Sequence, residues 1–290
     1  MKRPLEIKGE EASMRTIVSL TSAFESLSSM QITKTKSKVL ISNDFFNEVW
    51  GIYKQIRMDV MFNFGRNIDE HPIEKELLIL ITATGGLSGD IDQRLIKKFR
   101  QYYDEDKNDI IVIGHHGASQ LDQLKIHYNQ YFDLPKKDYI NVDPLMKEIK
   151  KYRRSRVFYQ NYISLSQQDI KDLDLSEVVS SKGKIADLDT LADDMITEKT
   201  YIFEPNAYAV AAHLETSILR LTLTQFIYDS RLAQLASRFR AMTAAKERSI
   251  ETANDLHTQY SRAKRALVDV RLKESLAGLK KLRAGAGGGE

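Results

Sequence analysis

The chain has 290 residues, of which 42% are hydrophobic and 29% are charged, so it is long enough for one or two domains with a sizeable core. Its 43 basic and 40 acidic residues give a formal net charge of +3, which is too balanced to indicate nucleic-acid binding by itself. Because the sequence contains no cysteine, disulfides, thiolate metal sites and cysteine nucleophiles are excluded. The longest apolar runs, 77–81 and 207–212, are far shorter than the roughly 20 residues of a membrane-spanning helix.

The N-terminal segment is predicted to form one long helix, from Ile7 to about Gly65. It contains no proline, and glycine occurs only at Gly9, Gly51 and the end. Many serines and threonines lower its intrinsic helix propensity, so the helix needs a packing partner. Apolar residues at helical spacing form one stripe that is expected to provide that packing: Met14, Ile17, Leu20, Phe24, Leu27 and Met30.

The middle of the chain alternates between strand and helix patterns. Strands are predicted at residues 76–84, 109–114 and 155–165, and helices at residues 92–103 and 143–151. The acidic, polar residues 166–200 are predicted to form a loop. Strands alternating with helices favour a parallel sheet covered on both faces, and we therefore expect a three-layer α/β domain.

The C-terminal segment is predicted to be a second, longer helix. From Asn206, a suitable N-cap, to Ala277 there is neither glycine nor proline, and about 70 helical residues would extend roughly 105 Å. Its apolar residues alternate at spacings of three and four, as in a left-handed coiled coil, and Lys246 and Ser249 interrupt the same register. We expect this helix to pair antiparallel with the N-terminal one. The predicted seam consists of Leu232, Leu235, Phe239, Met242, Ala253, Leu256, Tyr260, Ala263, Leu267 and Val270.

The residues between the first strand and the following helix, Gly85–Gly89, stand where phosphate-binding loops occur. The loop lacks the lysine of a Walker motif and the spacing of a dinucleotide motif, which favours a tight strand-to-helix turn. The adjacent His115 and His116 cannot face one metal and are expected in a loop or on the surface. No catalytic residue, metal ligand or cofactor site is predicted, although a nucleotide-binding enzyme remains an alternative.

Basic residues cluster at 147–156 and along the last helix at 231–265. The aromatic residues that bind single-stranded nucleic acid by stacking are not interleaved with them. Two interpretations stay open: a solvated surface, or contact with an acidic protein partner.

Several segments resemble the gamma subunit of F-type ATP synthase. Residues 201–205 (Tyr-Ile-Phe-Glu-Pro) are similar to the family's Tyr-x-x-Glu-Pro before its long helix. The family's Arg-Met-x-Ala-Met-x-Ala-Ala stretch is matched at Arg238, at residues 241–242 and at residues 244–245. Phe239 stands in place of the first methionine of that stretch. Tyr260, Leu272 and Glu274 match its last conserved segment.

The resemblance extends over the whole chain. Residues 86–89 are similar to the family's Gly-Leu-Cys/Ala-Gly, and residues 6–8, Ser13, 20–21 and Ala23 match its N-terminal motif. The chain differs from the family pattern at several positions, as expected of a divergent member. It has Ser22 where the family has lysine, Phe24 where it has methionine, Arg265 where it has glutamine and Arg271 where it has glutamate. Residues 31–34 (Gln-Ile-Thr-Lys) replace the family's Lys-Met-x-Lys.

The resemblance implies the function of a rotor shaft. The shaft turns inside a hexamer of alternating alpha and beta subunits, and its foot joins the epsilon subunit and the membrane c-ring. It would carry out no catalysis and hold no cofactor, and would be peripheral to the plasma membrane on its cytoplasmic side. The shaft of a specialised motor derived from ATP synthase is a further alternative.

By resemblance, five residues are expected to contact partners or to support coupling: Phe24, Arg238, Met242, Tyr260 and Glu274. Arg238 is expected to meet an acidic loop of the beta subunit. The expected division is an N-terminal coiled-coil helix (residues 1–65), a Rossmann-like α/β domain (66–205), a C-terminal coiled-coil helix (206–283) and a flexible tail (284–290).

Overall fold

The computed structural model describes residues 3–57, 72–133, 140–175, 204 and 206–286. These residues are mostly helical and include one five-stranded sheet. The chain divides into two compact units, residues 1–27 with 241–290 and residues 28–240.

The elements in chain order are α1 (Pro4–Arg57), β1 (Ile73–Ile81), α2 (Ile91–Arg100), β2 (Asn108–Ile113), α3 (His115–Gln123), β3 (Gln130–Phe132), α4 (Asp143–Ile149), β4 (Tyr152–Tyr162), β5 (Gln168–Asp174) and α5 (Ala207–Ala286).

The sheet has the strand order β3-β2-β1-β4-β5. The first four strands are parallel, with Leu78 of β1 aligned between Ile110 of β2 and Arg156 of β4. Strand β5 is antiparallel to β4, so the sheet is mixed, and the prediction of a purely parallel sheet is wrong at this edge.

Strand β5 also corrects the predicted loop at residues 166–200, because it occupies the start of that segment. A tight turn connects it to β4, in which the amide of Ser164 donates to the carbonyl oxygen of Gln167 at 2.9 Å. The side chain of Gln168 closes the turn by donating to the Ser164 carbonyl oxygen at 2.9 Å. At the start of β5, the buried Gln168 and Ile170 alternate with the exposed Asp169 and Lys171, and this pattern of period two is typical of a half-exposed edge strand. Residues 176–200 of the predicted loop lie outside the described residues.

The core of the second unit lies on both faces of the sheet. On one face, Leu77 and Ile79 pack with apolar residues of α4 and with Leu223 and Phe226 of α5. On the other face, Leu78 and Leu80 pack with residues of α2 and α3. Burial on both faces explains why β1 is an almost uninterrupted apolar run.

In the first unit, α1 and α5 run antiparallel. Glu25 of α1 accepts hydrogen bonds from Lys246 at 2.8 Å and Thr243 at 2.7 Å, and these partners lower the pKa of its carboxyl. Glu11, two heptads earlier on α1, lies 3.2 Å from the imidazole of His257, which is later on α5. Because the earlier residue of α1 contacts the later residue of α5, the two helices run in opposite directions.

The prediction that the apolar stripe of α1 is its packed face is wrong for most of the stripe. Leu20 is 54% exposed and Phe24 is 41% exposed, and Ile17, Leu27 and Met30 are also exposed. Of the predicted stripe, only Met14 is half-buried. The buried or half-buried positions keep the heptad spacing but lie one residue later: Val18, Thr21, Glu25 and Ser28. The polar members of this face can be buried because they have partners, such as Lys246 for Glu25, and because small hydroxyl side chains allow close approach.

Helix α5 follows its prediction more closely. The side chain of Asn206 accepts a hydrogen bond from the amide of Ala209 at 2.8 Å, which confirms the N-cap. Along the predicted seam, Leu232, Leu235, Met242 and Ala253 are buried. Leu267 and Val270 are exposed, which contradicts their place in the seam. The contact of Glu11 with His257 puts Pro4, the start of α1, opposite about residue 264, so α1 as the structure describes it does not reach the later positions of α5.

Candidate functional site

The carboxyl ends of β1 and β4 form the point where the strand order reverses. Strands β2 and β3 lie on one side of β1, whereas β4 lies on the other, and ligands of open α/β sheets bind at such a point. In this chain, one face of α5 contacts this edge of the sheet through Ser230, Gln234, Ser237 and Arg238. The usual ligand position is therefore occupied by the protein's own helix.

The loop between β1 and α2 is bound to α5 through its oxygen atoms. Ser237 Oγ donates to the carbonyl oxygen of Ser88 at 2.6 Å. The guanidinium of Arg238 donates through Nη2 to the carbonyl oxygens of Gly86 at 3.1 Å and Gly85 at 3.3 Å, and to Ser88 Oγ at 3.4 Å. A phosphate-binding loop instead directs backbone N–H groups at its ligand. The predicted strand-to-helix turn is confirmed, and the geometry gives no support to a nucleotide site.

The loop is strained at one residue, Leu87, whose φ is +67°, and Gly89 has φ +68°. A leucine in this left-handed region costs roughly 1–2 kcal/mol. The contacts of Ser88 with Ser237 and Arg238 hold the loop in this conformation. Burial lowers the pKa of Arg238, and the nearby carboxylate of Asp92 opposes that effect.

A buried carboxylate is at the centre of the site. Asp92, in the first turn of α2, is 1% exposed. Its Oδ1 accepts a hydrogen bond from Gln160 Nε2 at 2.7 Å, and its Oδ2 accepts one from the amide of Ala83 at 3.3 Å. Its Oδ2 also lies 2.6 Å from Nδ1 of His116. These partners satisfy a charge that would be costly to bury alone.

His116, in the first turn of α3, is the titratable partner of that carboxylate. The hydrogen bond to Asp92 raises the pKa of His116, and burial of the imidazole partly opposes this. Since a carboxylate can only accept, Nδ1 of His116 carries the proton in this contact. Both histidines lie on α3 and not in a loop; His115 is exposed as expected, whereas His116 is half-buried against Asp92.

Gln160 of β4 connects Asp92 to α5. Its Oε1 accepts hydrogen bonds from Ser230 Oγ and from Gln234 Nε2, the second at 3.2 Å. Its backbone amide also donates to Ser230 Oγ at 3.3 Å. Gln160 and Ser230 are both fully buried. One polar network thus joins α2, α3, β4 and α5.

Behind this network, α3 packs closely against the end of β1. Thr82 Oγ1 donates to the carbonyl oxygen of Ile113 at 2.9 Å and accepts from the amide of Gly117 at 3.0 Å. A Cβ atom on Gly114, whose φ is +99°, would lie 2.2 Å from the carbonyl oxygen of Thr82. A Cβ atom on Gly117 would lie 2.5 Å from Thr82 Oγ1, so this close approach requires glycine at both positions.

The five residues expected to contact partners do not form one cluster. Phe24 is exposed on α1 and Met242 is buried on α5, and the ion pair of the neighbouring Glu25 places the two at a similar level of the helix pair. Tyr260 is half-buried and lies about 27 Å further along α5, at about 1.5 Å per residue. Glu274, further along still, is exposed. Arg238 belongs to the second unit and is half-buried against the loop after β1.

The sequence reading missed Asp92, Gln160, Ser230 and Gln234. Two signals were present: a glutamine directly after the apolar residues 157–159 of β4, and small residues at Ser230, Ala233 and Ser237 on one face of α5. Small residues at such spacing allow another element to approach a helix closely. In residues 3–57, 72–133, 140–175 and 206–286, no three histidine or acidic residues are grouped as a metal site would require. No helix in the same ranges is both long and apolar enough to span a membrane.

The ATP synthase family model matches residues 5–282. The ATP synthase gamma chain of Streptococcus suis is 25% identical, and the match covers 94% of this chain and 96% of that one. The gamma chain of Clostridium novyi is 21% identical over the same shares.

Solved structures show the same fold. One chain of the Euglena gracilis mitochondrial ATP synthase, from its OSCP/F1/c-ring assembly, has a TM-score of 0.58 at 13% identity and covers 93% of this chain and 98% of its own length. One chain of the Tetrahymena thermophila mitochondrial ATP synthase central stalk and c-ring has a TM-score of 0.58 at 13% identity, covering 78% and 99%. Together with the match over nearly the whole sequence, these likenesses show that the chain belongs to the gamma-subunit family of ATP synthase.

Proposed function

We propose that this chain is the central rotor stalk of an F-type ATP synthase and transmits torque between a membrane c-ring and a catalytic alpha/beta hexamer. The observation that carries the proposal is the family match over residues 5–282, which includes both long helices and the sheet between them. The chain itself is a non-catalytic subunit of the complex. Its partners are the alpha and beta subunits, the epsilon subunit and the c-ring.

We further propose that α1 and α5 form a left-handed antiparallel coiled coil. Support comes from the heptad spacing of the buried positions on α1 and from the reversed order of the contacts from Glu25 and Glu11. The sheet with helices on both faces supports a Rossmann-like description of the middle of the chain. We also propose that the chain divides into its N-terminal helix, α/β domain, C-terminal helix and tail after residues 65, 205 and 283. Helix α5 extends to Ala286, three residues beyond the last of these boundaries.

The exposed apolar stripe of α1 fits a shaft inside a protein sleeve. Between Arg15 and Lys34 the only charged residue is Glu25, and its carboxylate is paired with Lys246. The stripe that includes Leu20 and Phe24 therefore offers no charge to the surrounding subunits. We propose that the hexamer covers this stripe in the assembled enzyme.

Arg238 is proposed to support coupling by a transient contact with an acidic loop of the beta subunit. Among the described residues, the hydrogen bonds of its guanidinium all use Nη2, which leaves Nη1 available to a carboxylate. Such a contact must break and re-form as the shaft turns, so an exposed pair worth roughly 0.2–1 kcal/mol is suitable. We propose that Phe24, Met242, Tyr260 and Glu274 serve as packing or contact positions at other levels of the shaft.

The proposed location is the cytoplasmic side of the plasma membrane, through the complex. The test is purification of the native complex by a tag on this chain, followed by identification of the co-purifying subunits. Alpha, beta, epsilon and c subunits are expected in the same complex. A complex without beta subunits would refute the proposal, and alpha and beta subunits accompanied by other membrane subunits would favour the specialised motor.

A further inference from the structure

We propose that Ser230, Gln234, Ser237 and Arg238, with their partners at the sheet edge, form a helix clamp that fixes the rotational position of α5 against the sheet and transmits torque between them. The inference rests on the proposed function, since only a rotating shaft is loaded about its axis. It assigns to these buried polar residues a mechanical role in positioning α5.

The helix clamp occupies one face of α5. Its residues are spaced at i, i+4, i+7 and i+8, so they lie within about 12 Å along the helix on a single side. The fully buried Ala233 lies between them and packs with the core on the α2 and α3 face of the sheet. The small side chains of Ser230, Ala233 and Ser237 allow the backbone of α5 to lie close to the end of β4.

Apolar packing and hydrogen bonds resist rotation of α5 in different ways. The hydrophobic contribution of Leu223 and Phe226 scales with buried area and has no preferred direction, although their close packing also resists displacement. A hydrogen bond, in contrast, weakens steeply when its angle or length changes. Inside the protein a broken bond is not replaced by water, so displacement of Ser230 or Gln234 from Gln160 leaves buried polar groups unsatisfied.

The partners of the helix clamp are themselves fixed. Gln160 is oriented by Asp92, because the carboxylate can only accept and so requires the Nε2 side of the amide. Asp92 in turn is held by the amide of Ala83 and by His116. A load on α5 at Ser230 is therefore distributed over β1, α2, α3 and β4.

The helix clamp holds a helix that is long enough to carry a rotation away from the sheet. Helix α5 is uninterrupted from Ala207 to Ala286, so a rotation imposed at residues 230–238 is carried by a continuous chain of backbone hydrogen bonds. Other polar contacts of α5 in the same unit lie outside the strands: Gln225 Nε2 donates to Asn43 Oδ1 of α1 at 2.6 Å, Arg220 pairs with Asp143 of α4 at 2.8 Å, and Arg240 donates to the carbonyl oxygen of Ser166, between β4 and β5, at 2.7 Å.

The test measures torsional stiffness in the assembled complex. The alpha/beta ring is fixed to a surface, and a marker is attached through Lys97→Cys on α2, a unique thiol because the chain has no cysteine. Without ATP, the angular variance of the marker reports how tightly the sheet follows α5. The double variant Ser230→Ala with Gln234→Ala removes three of the seven hydrogen bonds made by the four clamp residues. If the bonds contribute equally and in parallel to the torsional stiffness, the stiffness falls to about half, and the angular variance of the marker should rise about two-fold.

A matched control removes the same side-chain groups elsewhere on the helix. Thr224→Ala with Gln225→Ala deletes one hydroxyl and one amide of α5 that do not contact the sheet, and its variance is expected to equal that of the unchanged chain. Ser237→Ala gives a second, independent test at the other end of the helix clamp, should the first variant fail to assemble. Melting temperatures of the complexes verify that each variant is folded at the assay temperature.

Equal variance in the clamp variants and the control would overturn the inference. The proposed function fails separately, if the unchanged chain shows no rotation with ATP while the complex hydrolyses it.

Discussion

Asp229, next to the helix clamp on α5, is expected to destabilise the folded chain when ionised. Burial raises the pKa of its carboxyl to about 6 from an ordinary value of 3.8, and the ammonium of Lys171 on β5 partly opposes this. Tyr159 of β4 is the other titratable group facing it. Burial and the charge of Asp229 raise the pKa of Tyr159 to about 12, and its ring stacks on Phe226 with centroids 4.5 Å apart. None of the described residues donates a hydrogen bond to the Asp229 carboxylate.

The sign and size of the effect follow from linkage. Because the pKa is higher in the folded state, the folded chain binds more protons between pH 3.8 and about 6, and its stability falls as the pH rises through that window. Above the window the penalty is complete, and the rise in pKa corresponds to at most about 3 kcal/mol. Asp229→Asn removes the ionisation, so it should stabilise the chain by up to about 3 kcal/mol at pH 8 and by about half as much at pH 5.

The assay is urea denaturation followed by tryptophan fluorescence. Trp50 is the only tryptophan, is buried, and packs in one cluster with Ile218 of α5, so its emission reports the loss of that packing. Asp122→Asn, at an exposed position of α3, is the matched control and should change little. A gain of equal size at pH 5 and pH 8, or no gain at pH 8, would refute the titration argument.

Three further predictions concern the site. Gly114→Ala should lower the free energy of unfolding by about 3 kcal/mol or more, because its Cβ would collide with the Thr82 carbonyl oxygen and its φ is unfavourable; a thermal melt close to that of the unchanged chain would contradict this. The bond of His116 to Asp92 should stabilise the chain fully below the ordinary pKa of 6.5 and progressively less as pH rises through the raised pKa, so the stability lost in His116→Gln should shrink with rising pH in denaturation curves. Arg238→Ala should leave the complex assembled and ATP hydrolysis measurable but lower the ratio of ions pumped to ATP split in reconstituted vesicles; Arg238→Lys keeps the charge without the planar fork, and an unchanged ratio in Arg238→Ala would remove this residue from the coupling mechanism.

The long helices could be predicted because the signals that define them are local. The absence of glycine and proline after Asn206, the cap at that residue and the apolar spacing through Ala253 all lie within one segment. The packed face of α1 could not be predicted from hydrophobicity alone. Leu20 and Phe24 form the more apolar stripe, but the chain buries the adjacent face, where Glu25 finds Lys246.

The parts of the site that sequence reasoning missed depend on distant partners. Gln160 reads as an ordinary polar residue until the fold places it between Asp92 and Ser230, which are 68 and 70 residues away. Strand β5 was missed for a related reason, because its acidic residues indicate a solvated loop unless the neighbouring strand is known. Asp172 in that strand is stabilised by Arg156 of β4 at 2.9 Å and Lys98 of α2 at 2.7 Å.

The most direct test of the central claim is observation of rotation. The alpha/beta ring is fixed, the marker is attached at Lys97→Cys on α2, and ATP is supplied. If the chain is the rotor stalk, the marker should turn in one direction and stop when ATP is removed. ATP hydrolysis by the same complexes with a marker that does not turn would contradict the account.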